Sequence, residues 1–283
     1  MPRYFDDWEP GAFPAQRALC AVLEDTDYAL EEPDLNPLTL RLTIASEAAN
    51  ALDACIQGAS AGLPRLWQEA AALWRNAART EDIAFSEEPY VSLTGVMATI
   101  PVIVSPDGRG GQRVHTPADP NAFTFPILQA QQHLYHFFTG YCDAFDRVAQ
   151  EVENLFQVRT NRHGWRELTG WKHGRNRALN QIRDHEPAFT GWVSGFYADR
   201  AEQAFQYRDT LREVGHIPAR AAVDGASRRW QLLVGAVSED KPIELNTDAV
   251  QLCRVLMRDG LVVINTVYHI LFKHCQSHGL PPW

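Results

Sequence analysis

Apolar residues recur at helical spacing over much of this chain. The strongest pattern follows Pro126, where one apolar stripe continues for about eight turns at 3.6 residues per turn. That stripe consists of Ile127, Gln131, Leu134, Phe138, Cys142, Phe145, Val148, Val152 and Leu155. A second stripe, between residues 247 and 276, consists of Val250, Cys253, Met257, Leu261, Ile264, Tyr268, Leu271 and Cys275. The two stripes predict two long amphipathic helices.

Shorter helical patterns lie in the first half of the chain. Residues 15–30 predict one short helix in a proline-rich N-terminal arm, 1–38. From Thr39 onward a helix is predicted whose core face consists of Leu40, Ile44, Ala48, Leu52 and Cys55. A second helix is expected to begin at Pro64, because proline is favoured in a first turn. These two helices predict a helical hairpin over residues 39–80.

The helical period disappears between Pro89 and Pro126. Residues 96–104 are β-branched and apolar and precede a glycine-rich turn at 106–111, which predicts a β-hairpin. Pro101 lacks a backbone N–H, so we expect its strand to lie at a sheet edge. Further short helices are expected near residues 175–183, 187–197 and 199–213.

These patterns together predict a mainly all-α fold. We expect a single domain over residues 1–283, built as a bundle with long antiparallel helices and a small β-hairpin excursion near residues 90–115. Within it, the β excursion would occupy residues 89–125 and a helical core residues 126–276.

Composition is typical of a soluble globular protein. Hydrophobic residues make up 45% of 283 positions, which suffices for a core. The 5 cysteines are too scattered for a disulfide framework or a zinc motif. The N-terminus lacks the basic start and apolar stretch of a secretory signal, and the apolar run at 261–272 is too short to cross a bilayer. We therefore expect a cytoplasmic protein with no membrane partner.

One segment of the chain differs in charge from the rest. A net charge of -9 excludes a broad basic surface for duplex DNA. In contrast, residues 159–183 combine arginines with tryptophans, which suits single-stranded nucleic acid or a nucleotide. The predicted binding residues are Arg159, Arg162, Trp165, Arg166, Trp171, Lys172, Arg175 and Arg177. The alternative is a surface connection whose arginines pair with the protein's own excess acids.

A second candidate for chemistry lies near residue 210. A helix ending at Gly215 would leave His216 just beyond its end, with Arg212 and Arg208 one and two turns earlier. An arginine that holds a phosphate and a histidine that moves a proton are what RNA cleavage by the 2′-hydroxyl requires. The alternative is that Arg208 and Arg212 pair with neighbouring acids or with the helix C-terminus.

This arrangement resembles bacterial members of the HEPN superfamily. The resemblance covers roughly residues 126–276 and rests on the long helix that contains residues 141–152, the shorter helices after it, and Tyr207-Arg208-Asp209 leading to His216. It implies a dimeric helical bundle of a defence or toxin–antitoxin system, and a metal-independent ribonuclease without a cofactor. Arg208 would hold the phosphate, Asp209 would orient that arginine, and His216 would be the general acid or base. His216 lies one residue farther from Arg208 than the longest spacing of the family motif.

Other function classes have weaker patterns. Glu213 and His216 have the Glu-x-x-His spacing of di-iron bundles, but the sequence has no second such pair and we expect no metal site. The turn at 108–111 lacks the residues of a phosphate-binding loop. A solvated tail is expected for the C-terminal group His269, His274, Cys275 and His278. The competing hypotheses are a noncatalytic, dimeric protein-interaction bundle and, more remotely, a metal- or haem-binding oxygenase-like bundle.

Overall fold

The fold, taken from a computed structural model, is mainly helical with two small antiparallel sheets. The residues described are 13–24, 26, 37–74, 84–91, 97–107, 109–117, 119–158, 164–169, 182, 201–224, 227–235 and 245–280. The helices are α1 (Pro14–Leu23), α2 (Pro37–Ser60), α3 (Leu63–Trp74), α4 (Ile127–Leu155), α5 (Trp165–Thr169), α6 (Glu202–Val214) and α7 (Ala249–His278). The strands are β1 (Ala84–Val91), β2 (Met97–Pro106), β3 (Gln112–His115), β4 (Ala219–Asp224), β5 (Arg229–Gly235) and β6 (Leu245–Asp248), and a short 3-10 helix covers Pro120–Phe123.

The chain divides into two compact units. The first, which we call the helical unit, consists of residues 1–48, 136–213 and 253–283. The second, the sheet unit, consists of residues 49–135 and 214–252. Each unit therefore combines segments that are distant in the sequence. The single domain expected over the whole chain stays a prediction.

The two long helices α4 and α7 confirm the strongest sequence patterns. Every residue of the α4 stripe from Leu134 to Leu155 is buried. Contacts between the helices within the helical unit join Tyr141 to Gly260, Glu151 to Tyr268, and Phe156, just after α4, to His274. Because the residue numbers of the contacting pairs increase in the same direction along both helices, α4 and α7 run parallel. The expected antiparallel arrangement of the long helices is wrong for this pair.

Helix α2 confirms the predicted helix but buries a different face. Leu40, expected in the core, is 60% exposed. The buried apolar side chains are Leu38, Leu42, Ala45, Ala48, Ala49, Leu52 and Ile56, of which only Ala48 and Leu52 belong to the predicted stripe. Apolar residues occur at both Leu38 and Leu40 and again at Leu42, so the sequence offers two apolar faces. Tertiary packing selects one of them.

The first sheet of the sheet unit contains the predicted hairpin plus an additional strand. Its order is β1-β2-β3, so β2 is central and the expected edge position is wrong. Pro101 is tolerated there because β3 pairs only with the end of β2, from Ile103 to Pro106. On the same side Thr99 exchanges hydrogen bonds with Phe125. The nitrogen of Pro101 points to the gap between these two partners, where no ladder donor is needed.

The second sheet, of order β4-β5-β6, was not predicted, so the fold contains more than helices and one hairpin. The sequence contains a hairpin signal at Asp224-Gly225, between two β-prone runs. In the structure Trp230 is buried beside Phe125, with 5.3 Å between ring centroids. Its backbone N–H donates to Ser60 Oγ at 2.9 Å. This sheet is therefore part of the core of its unit.

Helix α7 is long and apolar enough to cross a membrane, judged by length and composition alone. The core helix of a soluble protein has the same composition, and Cys253, Ile264 and Tyr268 are buried within the protein. The cytoplasmic location stays a prediction.

Candidate functional site

The candidate site is a group of ion pairs within the helical unit. It joins Arg41 of α2, Asp143 and Asp146 of α4, Arg166 of α5, and Arg208, Asp209 and Arg212 of α6. We call these residues the arginine–aspartate cluster. Asp143 and Asp146 are one turn apart, as are Arg208 and Arg212, so each pair lies on one face of its helix. Counted over the residues that the structure describes, the cluster has one arginine more than it has aspartates, and therefore one positive charge in excess.

Arg208 lies at the buried centre of the cluster and is only 7% exposed. Its Nη1 donates to Asp146 Oδ2 at 2.7 Å, and its Nε donates to Asp209 Oδ1 at 3.4 Å. The guanidinium also lies over the ring of Phe205, 4.7 Å from the centroid. Burial alone would lower the pKa of Arg208, but the neighbouring carboxylates of Asp146 and Asp209 raise that pKa overall. Arg208 therefore remains a cation.

Asp146 links three helices through its two oxygens. Oδ2 accepts from Arg208, while Oδ1 accepts from the backbone N–H of Trp165, the first residue of α5, at 2.9 Å. A carboxylate at the start of a helix satisfies a backbone donor that has no partner inside the helix. The next residue, Arg166, pairs with Asp209 of α6. These contacts hold α5 against both α4 and α6.

Asp143 lies among three guanidinium groups. Its Oδ1 accepts from Arg212 Nη2 at 3.1 Å and is 3.8 Å from Arg208 Nη1. Its Oδ2 is 3.5 Å from Arg41 Nη1. The side chains of Arg41 and Arg212 are 45% and 46% exposed, whereas that of Arg208 is 9% exposed. Solvent and ligands therefore reach the cluster from the side of Arg41 and Arg212.

Cys142 lies next to the cluster in the core of α4 and is fully buried. Burial, the largest effect, raises the pKa of its thiol far above the ordinary value. The thiol therefore stays protonated at neutral pH and is a poor nucleophile or metal ligand. The described side chains of the cluster are guanidinium and carboxylate groups, so the interactions that they can offer a ligand are electrostatic.

The three predicted catalytic residues have different environments. Arg208 and Asp209 belong to the cluster, and their mutual pairing is a contact that the noncatalytic alternative expects. His216 is exposed and follows Gly215, whose φ of 85° is typical of a glycine that ends a helix. By the division of the chain, His216 belongs to the sheet unit. The catalytic roles of these residues stay predictions.

Two of the predicted nucleic-acid-binding residues lie within the described residues. Trp165 is fully buried and packs edge-on against Phe145, with 4.9 Å between ring centroids. Its indole is a core side chain here and does not offer a face to a base. Arg166 is partly buried and pairs with Asp209. The other six predicted residues, Arg159, Arg162, Trp171, Lys172, Arg175 and Arg177, lie outside the described residues.

Among the residues that the structure describes, no group of three or more His, Cys, Asp or Glu side chains could hold a metal ion. Glu213 and His216 are both exposed. The solvated tail expected at the C-terminus is wrong for His274 and Cys275, which are buried in α7. The His274 ring stacks on that of His278, with 4.2 Å between centroids. Helix α7 extends to His278, so these residues belong to a regular helix and not to a frayed tail.

Sequence reasoning did not select Arg41, Asp143 or Asp146 as site residues. Asp143 follows Cys142 and Asp146 follows Phe145, both residues of the apolar stripe, so the sequence already indicated that these two aspartates would be partly buried. Arg41 had no comparable signal, because its partner lies more than a hundred positions away along the chain.

No family model matches the chain, and no curated protein or solved structure matches it either. The likeness to the HEPN superfamily therefore rests on the residues quoted above.

Proposed function

We propose that the protein binds RNA or a nucleotide through phosphate groups at the arginine–aspartate cluster, as a HEPN-like component of a bacterial defence or toxin–antitoxin system. The observation that carries this proposal is the convergence of Arg41, Arg208 and Arg212 on the one carboxylate of Asp143. The planar fork of a guanidinium matches the oxygens of a phosphate, and hydrogen bonds between the two are charge-assisted. Two of these three arginines are accessible to a ligand.

Under this proposal, cleavage of RNA would proceed without a metal. The 2′-hydroxyl loses its proton to a base and attacks the adjacent phosphorus, and the 5′-oxygen leaves as it gains a proton. The products are a 2′,3′-cyclic phosphate and a 5′-hydroxyl. His216 is the residue proposed to move these protons. The positive charge of Arg208 would stabilise the negative charge that builds up on the phosphate.

One observation favours a second candidate function, a noncatalytic and dimeric protein-interaction bundle. Arg208 is buried, and its hydrogen bonds to described residues go to Asp146 and Asp209. Arg208 joins α6 to α4 through its pair with Asp146, so it has a structural role whatever else it does. An interaction bundle would need only that role.

The test is the binding of a fluorescein-labelled single-stranded RNA, followed by fluorescence anisotropy in EDTA. Arg212→Ala is the informative variant, because Arg212 is half exposed and its removal leaves the buried pairs of Arg208 in place. We expect Arg212→Ala to weaken binding about tenfold, the effect of losing one hydrogen bond to a charged group. Arg258→Ala is the matched control, since Arg258 is 71% exposed and its ion pair with Asp259 is not one of the cluster's pairs.

The control separates a specific site from a general charge effect. Affinity within about twofold of wild type is expected for Arg258→Ala, because exposed charges are screened by salt. An equal loss in both variants, or no binding by the wild type, would contradict the proposed site and favour the interaction bundle. Incubation with total RNA in EDTA then distinguishes binding from cleavage, since cleavage should disappear in His216→Ala.

A further inference from the structure

Asp143 occupies the position in the cluster where an anionic ligand would have the most cationic partners. Guanidinium groups from α2 and α6 lie within 4 Å of its oxygens, at 3.1 Å for Arg212, 3.5 Å for Arg41 and 3.8 Å for Arg208. Three cations around one carboxylate form a site for a small anion. The carboxylate of Asp143 itself occupies this site.

The two aspartates of α4 differ in how firmly they are held. Asp146 bonds through both oxygens, one to the buried Arg208 and one to the backbone of Trp165. Asp143 makes its contacts with guanidinium groups, and two of these belong to the half-exposed Arg41 and Arg212. Exposed ion pairs contribute little to stability, because water screens the attraction and long side chains lose freedom in forming them. Another anion can therefore replace Asp143 without breaking a backbone hydrogen bond.

We propose that Asp143 is a built-in competitor for the phosphate: its carboxylate fills the anion position formed by Arg41 and Arg212, and a phosphate must displace it to bind. This inference rests on the function proposed above. A phosphate group carries at least as much charge as a carboxylate and has at least as many charged acceptor oxygens, so it can bridge both arginines. The ligand class is a phosphate group, carried by either a nucleotide or an RNA strand.

The charge of Asp143 affects how tightly a phosphate binds. In the wild type, an arriving phosphate meets the negative charge of Asp143, and like charges placed together weaken binding. Removing only that charge leaves the arginines in place with a neutral neighbour. The affinity for phosphate ligands should then rise, which is the opposite of what losing a binding residue does.

The test compares Asp143→Asn with Asp259→Asn and with the wild type. Asparagine keeps the size of the side chain and removes its charge. Asp259 is a matched control, because its side chain is also 23% exposed and also pairs with an arginine of the helical unit. Two probes are used in EDTA: ATP, by isothermal titration calorimetry, and a fluorescein-labelled single-stranded RNA, by anisotropy.

We expect Asp143→Asn to bind at least one probe about tenfold more tightly than the wild type, because a like-charge contact has been removed. Asp259→Asn should stay within about twofold, since its ion pair with Arg258 belongs to α7 and not to the cluster. Adding Arg212→Ala to Asp143→Asn should abolish the gain. A gain for ATP alone identifies a nucleotide as the ligand, and a gain for RNA alone identifies an RNA strand.

Different binding results would overturn this inference and the proposed function. If the wild type binds and Arg212→Ala weakens binding, but Asp143→Asn binds no more tightly, the competitor role is overturned and the phosphate site stands. If neither protein binds either probe, both are overturned. Circular dichroism checks that the variants are folded. Asp143→Ser is the second variant should Asp143→Asn not fold, and the same gain is expected from it.

Discussion

Gly140 shows how a single residue brings the cluster together. A Cβ added at Gly140 would lie 2.9 Å from the backbone oxygen of Arg41 and 3.1 Å from the backbone nitrogen of Ala45. Helices α2 and α4 therefore approach closely one turn before Asp143. Backbone atoms in a helix cannot move aside as the end of a flexible side chain can. This close approach is what allows Arg41 to reach Asp143.

We expect Gly140→Ala to destabilise the protein by about 1–3 kcal/mol through overpacking, even though alanine is the better helix former. Gly58→Ala is the control, because Gly58 also lies within a long helix, α2, and a Cβ there meets nothing within 4 Å. That variant should be neutral or more stable by up to about 1 kcal/mol. Urea unfolding followed by circular dichroism measures both. A stabilising effect at Gly140 would show that the helices are not in close contact there.

At the residue scale, the sequence predicts local pairings better than distant ones. Arg208 and Asp209 are neighbours in the chain, and pairing with adjacent acids was the stated alternative for Arg208. The partnership of Asp146 with Trp165, and that of Asp143 with Arg41, depend on how helices pack. No spacing in a sequence encodes such contacts, which is why the centre of the cluster could not be located in advance.

At the scale of elements, helix α7 begins with a cap from its own chain segment. Strand β6 ends at Asp248, and the Oδ1 of Asp248 accepts from the backbone N–H of Gln251 at 2.8 Å. This satisfies one of the donors that the first turn leaves without a partner. Helix α5 obtains the same kind of bond from Asp146, which belongs to a different helix. One cap is therefore local and the other is tertiary.

We expect Asp248→Ala to lower the free energy of unfolding by about 1 kcal/mol, since the capping oxygen is lost. Asp248→Asn keeps an oxygen that can accept the same bond and should retain most of the stability. Chemical denaturation at constant pH gives both values. Equal losses in the two variants would show that the charge of Asp248 matters and that the cap does not.

An element can be predicted from the sequence when its apolar pattern is long and marks a single face. Helices α4 and α7 carry single, long stripes, and both were found. The face of α2 was misplaced because leucines occupy two of its faces. The second sheet was missed because its strands are short, with at most 7 residues each, and lie between strong helices. Tertiary contacts, such as that of Trp230 with Phe125, add to the pairing between these short strands.

At the scale of the whole molecule, the cluster contrasts with the charge around it. The chain carries a net charge of -9, while the cluster has one arginine in excess. A phosphate ligand therefore gains little from long-range attraction. Binding must depend on short contacts with a few guanidinium groups. The salt dependence of binding then reports how many phosphates those groups hold.

The most direct measurement is the association constant for RNA over a range of salt concentrations, for the wild type, Arg212→Ala and Arg258→Ala. For a single strand, the logarithm of that constant falls against the logarithm of salt concentration by about 0.7 for each phosphate that is neutralised. We expect the slope to become shallower by about 0.7 in Arg212→Ala and to stay unchanged in Arg258→Ala. An identical slope in all three proteins would contradict a phosphate site at the arginine–aspartate cluster.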